Sequence, residues 1–205
     1  MTKVKICGLK EVEHVQAAVE AGADFIGLMF APSKRRITVE QAVELASHIP
    51  DNVKKVGVFV NEKPETIKQI AAQVGLDFIQ YHGDETAEQI NAIGLPAIKA
   101  FSIRNEEDVN RAAAYDVDYY LFDAPGTDFR GGSGNSFDWT LLDDVNIALD
   151  KVILAGGLNE ENVGIAVMLV DPFAVDVSSG VEVDGRKSSD KIKGFVERAK
   201  GELIL

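Results

Sequence analysis

The stretch from Lys151 to Gly180, KVILAGGLNEENVGIAVMLVDPFAVDVSSG, carries one complete copy of the unit from which the fold is built. Lys151–Ala155 is a nearly continuous apolar run, the mark of a strand covered on both faces. Gly156-Gly157-Leu158-Asn159 interrupts it, and Val163, Ala166, Val167 and Val170 then follow the i, i+3, i+4, i+7 spacing of a helix with one buried stripe. A second apolar run, Phe173–Val177, leads into Ser178-Ser179-Gly180. Strand, helix and strand in about 30 residues make a βαβ unit, whose two strands lie parallel.

Outward from this stretch the unit repeats. Val4–Cys7, Phe25–Phe30, Lys55–Val60, Phe78–Gln80, Ala97–Phe101 and Tyr119–Asp123 read as strands of the same buried kind. Helical spacing returns in Ala42/Leu45/Ala46/Ile49, Ile67/Ile70/Ala71/Val74 and Ile192/Phe195/Val196/Ala199. Thr38 with Gln41 forms a capping box, Pro64 suits a first helical turn, and Gly22 and Gly75 suit helix ends. Eight strand-then-helix units in 205 residues leave about 26 residues each, compact but sufficient for a closed barrel. The expected fold is therefore α/β, a single (β/α)8 TIM barrel with a parallel eight-stranded closed sheet and outer helices, occupying residues 1–205 as one domain. An open doubly wound sheet is the competitor. Against it, Cys7-Gly8-Leu9-Lys10 after the first strand lacks the further glycines of a dinucleotide turn.

Composition narrows the partners. A formal net charge of −12 argues against nucleic acid, which calls for clustered basic residues. One cysteine cannot close an internal disulfide. The first residues carry no charged stretch followed by an apolar core, and no window approaches 18 uninterrupted apolar residues. The expectation is a soluble, cytoplasmic protein without membrane contacts, and by default a monomer.

A barrel gathers its active site from the carboxyl ends of its strands, and here those ends are rich in polar residues. Cys7 ends the first strand, and Ser33-Lys34-Arg35-Arg36 follows the second, a basic cluster in an acidic chain. Asn61 ends the third, Gln80-Tyr81-His82-Gly83 the fourth and Asp123 the sixth. Gly156-Gly157 and Ser178-Ser179-Gly180 end the seventh and eighth, where barrels often seat a phosphate against backbone N–H groups and a helix N-terminus. Either glycine pair alone would read as a tight turn; the two on neighbouring strands favour a phosphate. A free cysteine is commonly a small buried hydrophobe, but one before a glycine at a strand end reads as a reactive thiol. Asp123 closes an apolar run, so it either pairs with a cation or serves as a proton donor. Lys5 shares a face with Cys7, and an ion pair inside the barrel explains it. His14 and His48 read as solvated helix residues and His82 as isolated, so no metal site is expected. Ala124 to Asn135, a long Gly-rich stretch after Asp123, reads as a lid or as a surface loop.

These residues, in this order, resemble the phosphoribosylanthranilate isomerase family of tryptophan biosynthesis. The resemblance rests on Lys5-Ile6-Cys7-Gly8, Gly57-Val58-Phe59-Val60-Asn61, Gln80-Tyr81-His82-Gly83, Gly131-Gly132-Ser133-Gly134 with Phe137-Asp138-Trp139, Ala155-Gly156-Gly157-Leu158, and Val175-Asp176-Val177-Ser178-Ser179-Gly180-Val181-Glu182. It spans almost the whole chain. The family more often has leucine where Tyr81 stands. The resemblance implies an Amadori rearrangement of a small phosphorylated aminosugar, with Cys7 as general base, Asp123 as general acid and no cofactor or metal. It further implies that the site favours the Cys7 thiolate. It assigns Arg35 to the anthranilate carboxylate through the Ser-x-Arg pattern of Ser33-Lys34-Arg35, in a loop one residue shorter than in some relatives, which leaves Arg36 as the alternative. Gln80, His82 and Asp176 are implied substrate contacts, with Asp176 touching the sugar or balancing Lys5 or Lys99. Gly156, Gly157, Ser178, Ser179 and Gly180 are the implied phosphate site.

Two rival readings differ in class. One is an aldolase-like enzyme with Lys5 or Lys99 as Schiff-base nucleophile. The other is a catalytically silent barrel that binds a phosphorylated metabolite.

Overall fold

The protein is described by a computed structural model, which covers residues 1–125, 138–142 and 147–201. Eight parallel strands, β1 (Lys3–Cys7), β2 (Phe25–Met29), β3 (Lys54–Phe59), β4 (Phe78–Tyr81), β5 (Ala97–Ser102), β6 (Tyr119–Asp123), β7 (Val152–Leu154) and β8 (Ala174–Val177), pair in sequence order. The barrel closes where β8 pairs with β1, with Lys5 opposite Asp176. The strands begin and end within about two residues of the apolar runs, because each run stops where burial on both faces stops.

Among the described residues seven α-helices cover the sheet: α1 (Val12–Glu20), α2 (Val39–Ala46), α3 (Pro64–Val74), α4 (Ala87–Asn91), α5 (Glu106–Ala112), α6 (Val163–Val170) and α7 (Ser189–Ala199). The Thr38–Gln41 capping box forms in both directions, Pro64 opens α3, and Gly75 closes it in the left-handed conformation with φ of 71°. Eight strand-then-helix units were expected. Between β6 and β7 the described residues instead hold 3₁₀ turns at Trp139–Leu142 and Leu149–Lys151. Most of the Gly-rich stretch after Asp123, from residue 126 onward, lies outside the described residues, as does the Gly131–Phe137 part of the family motif.

Alternation along the strands divides the apolar residues into two cores. Ile6, Ile26, Leu28, Ile79, Phe122 and Val175 face the helices. Phe25, Val56, Ile98, Leu121, Ile153 and Ala174 fill the barrel. At its amino-terminal mouth Phe25, Phe78, Tyr119 and Phe173 close the interior, with the Tyr119 and Phe173 rings 4.4 Å apart. The interior is thus plugged at one end, and the carboxyl ends of the strands are left to carry a site.

One outward residue departs from expectation. His14 is 7% exposed rather than solvated, because it falls on the buried stripe of α1 with Val15 and Ala18. His48 is exposed in the turn after α2.

Candidate active site

Period-two alternation sets Lys5 and Cys7 on the interior face of β1, since Lys5 registers with Phe25, a residue of the inner core. Lys5 is fully buried and donates to Asp176 Oδ1 at 2.9 Å. Of the two cations open to Asp176 on the sequence, it is Lys5 that it balances. Burial works against the Lys5 charge, yet Asp176 and the neighbouring Cys7 outweigh it and hold the ammonium above its ordinary range. Cys7 registers with Gly27, where a side chain would crowd the thiol: a Cβ there would lie 2.6 Å from Sγ. Burial pushes the Cys7 thiol up, reinforced by Asp176 and opposed by Lys5 and Lys187. A site that favours the thiolate was expected; desolvation instead outweighs the two ammoniums and holds the thiol above its usual range.

The turns after β7 and β8 meet in one open cleft, lined by Gly156, Gly157, Ser178, Ser179 and Gly180 together with Asp123 and Asp176. Glycine is required at two of these positions. Gly156 has a φ of +84°, and a Cβ there would collide with the backbone of Ala124, next to Asp123. A Cβ on Gly180 would collide with the Leu158 carbonyl, so the two turns touch backbone to backbone. The first turn is braced by Asn162, which accepts from Asn159 N at 2.8 Å and donates to Gly157 O at 3.0 Å. The second is tied to the first strand, since Ser178 Oγ donates to Cys7 O at 3.1 Å.

Gln80 faces inward, in register with the inner-core residue Ile98. Its amide nitrogen lies 3.1 Å from His82 Nδ1, and His82 Nε2 lies 3.5 Å from Asp123 Oδ2. His82 is therefore not isolated: the sixth strand brings a carboxylate against it, a contact no local pattern encodes. Among the described residues Gln80 Oε1 and His82 Nε2 have no hydrogen-bond partner although buried, which leaves polar valences beside Asp123 for a ligand.

Arg35 reaches the site from the loop after β2 and lies over Gly8, where a Cβ would come within 2.6 Å of Arg35 Cδ. Its guanidinium grips Glu182 through both carboxylate oxygens, at 2.6 and 3.0 Å, and that bond raises its already high pKa. Arg36 is exposed on the same loop.

Sequence reasoning missed the hairpin that supplies Glu182. Strands β9 (Glu182–Val183) and β10 (Arg186–Lys187) are joined by Asp184-Gly185, both with positive φ, as a type I′ turn demands. The Asp-Gly pair was the available signal. Lys187, paired across from Glu182, is 5% exposed at its side chain and donates to Ser178 O at 2.8 Å. Burial pulls Lys187 below the ordinary lysine range against the pull of Glu182. Burial likewise opposes the Glu182 charge, but Arg35 and Lys187 hold that carboxyl below its usual range.

Lys99 belongs elsewhere. It registers with Tyr81 and Tyr120 on the outer face, meets Glu85 Oε2 at 3.2 Å and donates to Gly83 O at 2.7 Å. Glu85, also unforeseen, accepts from Asn61 N at 2.6 Å and Gly83 N at 2.9 Å, and so folds the loop that carries His82. With Lys99 outside the barrel and Lys5 capped by Asp176, neither lysine is placed as a Schiff-base nucleophile.

Comparison with known proteins bears on the fold and the family. Residues 4–198 match the model of the N-(5'phosphoribosyl)anthranilate (PRA) isomerase family. The N-(5'-phosphoribosyl)anthranilate isomerase of Bacillus mycoides is 50% identical over 199 residues, 97% of this chain and 98% of that protein. The crystal structure of phosphoribosyl anthranilate isomerase from Thermotoga maritima superposes with a TM-score of 0.90 at 43% identity, covering 98% of this chain and 100% of that one. A phosphoribosyl anthranilate isomerase in complex with reduced 1-(o-carboxyphenylamino)-1-deoxyribulose 5-phosphate superposes at 0.85 with 41% identity, covering 98% and 100% of the two chains. A match over nearly the full length, with the barrel closed in the same strand order the repeats predict, assigns this chain to the N-(5'-phosphoribosyl)anthranilate isomerase family of tryptophan biosynthesis.

Proposed function

We propose that this protein isomerises N-(5-phosphoribosyl)anthranilate to the 1-deoxyribulose 5-phosphate by an Amadori rearrangement in which Asp123 is the general acid and Cys7 the general base. One observation carries the reading. Asp123, both glycine-bearing turns and, through Ser178, the first strand at Cys7 converge on a single cleft. An acid and a base with an anion cradle between them are what this isomerisation needs.

Phosphate seats on the turns Gly156-Gly157 and Ser178-Ser179-Gly180, and the anthranilate carboxylate on Arg35, which fixes the sugar between them. Asp123 delivers a proton to the ring oxygen as the C1–O bond breaks, and the nitrogen lone pair forms an iminium. Cys7 then removes the C2 proton, and the C–H electron pair gives an enolamine. Gain of a proton at C1 and its loss from the 2-hydroxyl complete the ketose and restore both groups. Gln80 and His82 supply polar contacts beside Asp123. Lys5 and Lys187 offset part of the burial that disfavours the thiolate, so activity climbs with pH through the raised Cys7 titration.

The test is loss of anthranilate fluorescence from freshly made phosphoribosylanthranilate, in the wild type and in Cys7→Ser and Asp123→Asn. Removal of either proton-transfer group should lower kcat by about 10²–10⁴-fold in a folded protein. No turnover by folded wild type sinks the assignment; full activity in either variant removes that residue from its role.

A further inference from the structure

Glu182 serves two cations at once. Its Oε1 accepts from Arg35 Nε at 2.6 Å and lies 3.0 Å from Lys187 Nζ, while Oε2 accepts from Arg35 Nη2 at 3.0 Å. The carboxylate is only 12% exposed, so it cannot depend on water if a partner leaves. Lys187 is fixed independently of Arg35: its ammonium donates to Ser178 O at 2.8 Å and Ser178 Oγ at 3.3 Å, which with Glu182 uses all three of its donors. The short hairpin holds the pair in direct register, Lys187 opposite Glu182.

We propose that Lys187 is a positioning residue that lets Arg35 exchange Glu182 for the carboxylate of the substrate. This rests on the reading that Arg35 binds that carboxylate. Were Arg35 the lone counter-ion of Glu182, turning toward a ligand would strand a buried anion, and the empty site would hold the guanidinium shut. With Lys187 in place Glu182 stays paired throughout, and Arg35 trades one carboxylate for another of similar geometry. Lys187 touches no reacting atom in this account; its role at Arg35 falls on substrate capture and is separate from its charge effect on the Cys7 thiol.

The test compares steady-state kinetics of wild type, Lys187→Met, Lys187→Arg and Lys187→Met/Glu182→Gln on phosphoribosylanthranilate. Lys187→Met raises KM about tenfold, the loss of one charge-assisted hydrogen bond, and separately moves the Cys7 limb of the kcat–pH profile upward. Lys187→Arg keeps the counter-ion and restores KM. The double variant also recovers KM, because a neutral Glu182→Gln no longer competes for Arg35; a mere structural brace would lose further in the double. Should Lys187→Met fail to fold, Lys187→Gln keeps a donor to Ser178 without the charge and carries the same expectation. An unchanged KM in Lys187→Met or Lys187→Gln, or no recovery in the double variant, overturns the proposal while wild-type turnover leaves the isomerase reading standing. Absence of wild-type turnover overturns both.

Discussion

Asp176→Asn tests whether the interior ion pair holds the first strand in place. Lys5 is wholly buried and Asp176 retains 10% exposure at its side chain, with 2.9 Å between Nζ and Oδ1. Removing one partner of a buried pair costs about 3–5 kcal/mol, since the other is left charged in a low-dielectric interior. Asparagine still offers an acceptor to the ammonium, which puts the expected loss at about 3 kcal/mol. The reverse change, Lys5→Met, leaves its carboxylate on the cleft wall, where water reaches it. It should therefore cost about half as much. Removing both charges recovers part of the loss, with a coupling of about 2 kcal/mol between the sites. Urea denaturation followed by circular dichroism reads all three, at an m-value unchanged from wild type. Asp176→Asn within about 0.5 kcal/mol of wild type would refute the argument, a shift no larger than that of an ordinary surface change. A larger loss for Lys5→Met than for Asp176→Asn would refute its assignment of which charge is stranded.

Other expectations follow from single contacts. Gly156→Ala must adopt a left-handed backbone at about 1–2 kcal/mol and also push back Ala124, so kcat should fall along with stability, because Asp123 moves with its neighbour. Unchanged kcat in a crystal-verified variant would show that Ala124 yields without moving Asp123. Burial raises the Cys7 thiol, so the folded state holds its proton to higher pH than the unfolded chain. Folding stability should then decline as pH climbs past the ordinary thiol range, and the decline should vanish in Cys7→Ser; its persistence there would point to another group. For Asp24, burial is outweighed by the hydrogen bonds from Lys3, Val4 N and Lys200, and its pKa is lowered. Its contribution is full above the ordinary aspartate pKa and is lost as pH falls through the depressed value, so Asp24→Asn should flatten the acid limb of a stability profile by about 1 kcal/mol after solvent screening. An acid limb identical to wild type would count against it.

The barrel and the rim were legible in the chain because both depend on local periodicity. A strand covered on both faces needs an apolar run, a helix covering it needs a stripe, and the chemistry collects where the runs end. Cys7, Asp123 and the two glycine-bearing turns could thus be named from the strand ends, and Asp176 from the family resemblance; the cleft gathers all but Cys7 along its wall, with Cys7 tied to it through Ser178. Even the Asp184-Gly185 hairpin left its signature.

Partnership was legible at most as alternatives, Lys5 or Lys99 for Asp176. Lys5 and Asp176 stand 171 positions apart, and only closure of β8 on β1 makes them neighbours. The alternation that turns Lys5 inward gives no hint that Lys99 faces out to Glu85, because which face is interior depends on how the sheet curls. His82 meets Asp123, and Arg35 meets Glu182 and through it Lys187, by contacts between loop and strand segments whose sequences are independent of one another. The protonation balance at Cys7 belongs to the same class, for it is set by burial and by three charges from different strands. Sequence by itself determined the elements, their order and the residue types on the rim, since each follows from neighbours along the chain. Tertiary structure alone decided which charges pair and how deeply they are buried, because Coulomb attraction and desolvation depend on distances through space that the linear order does not contain.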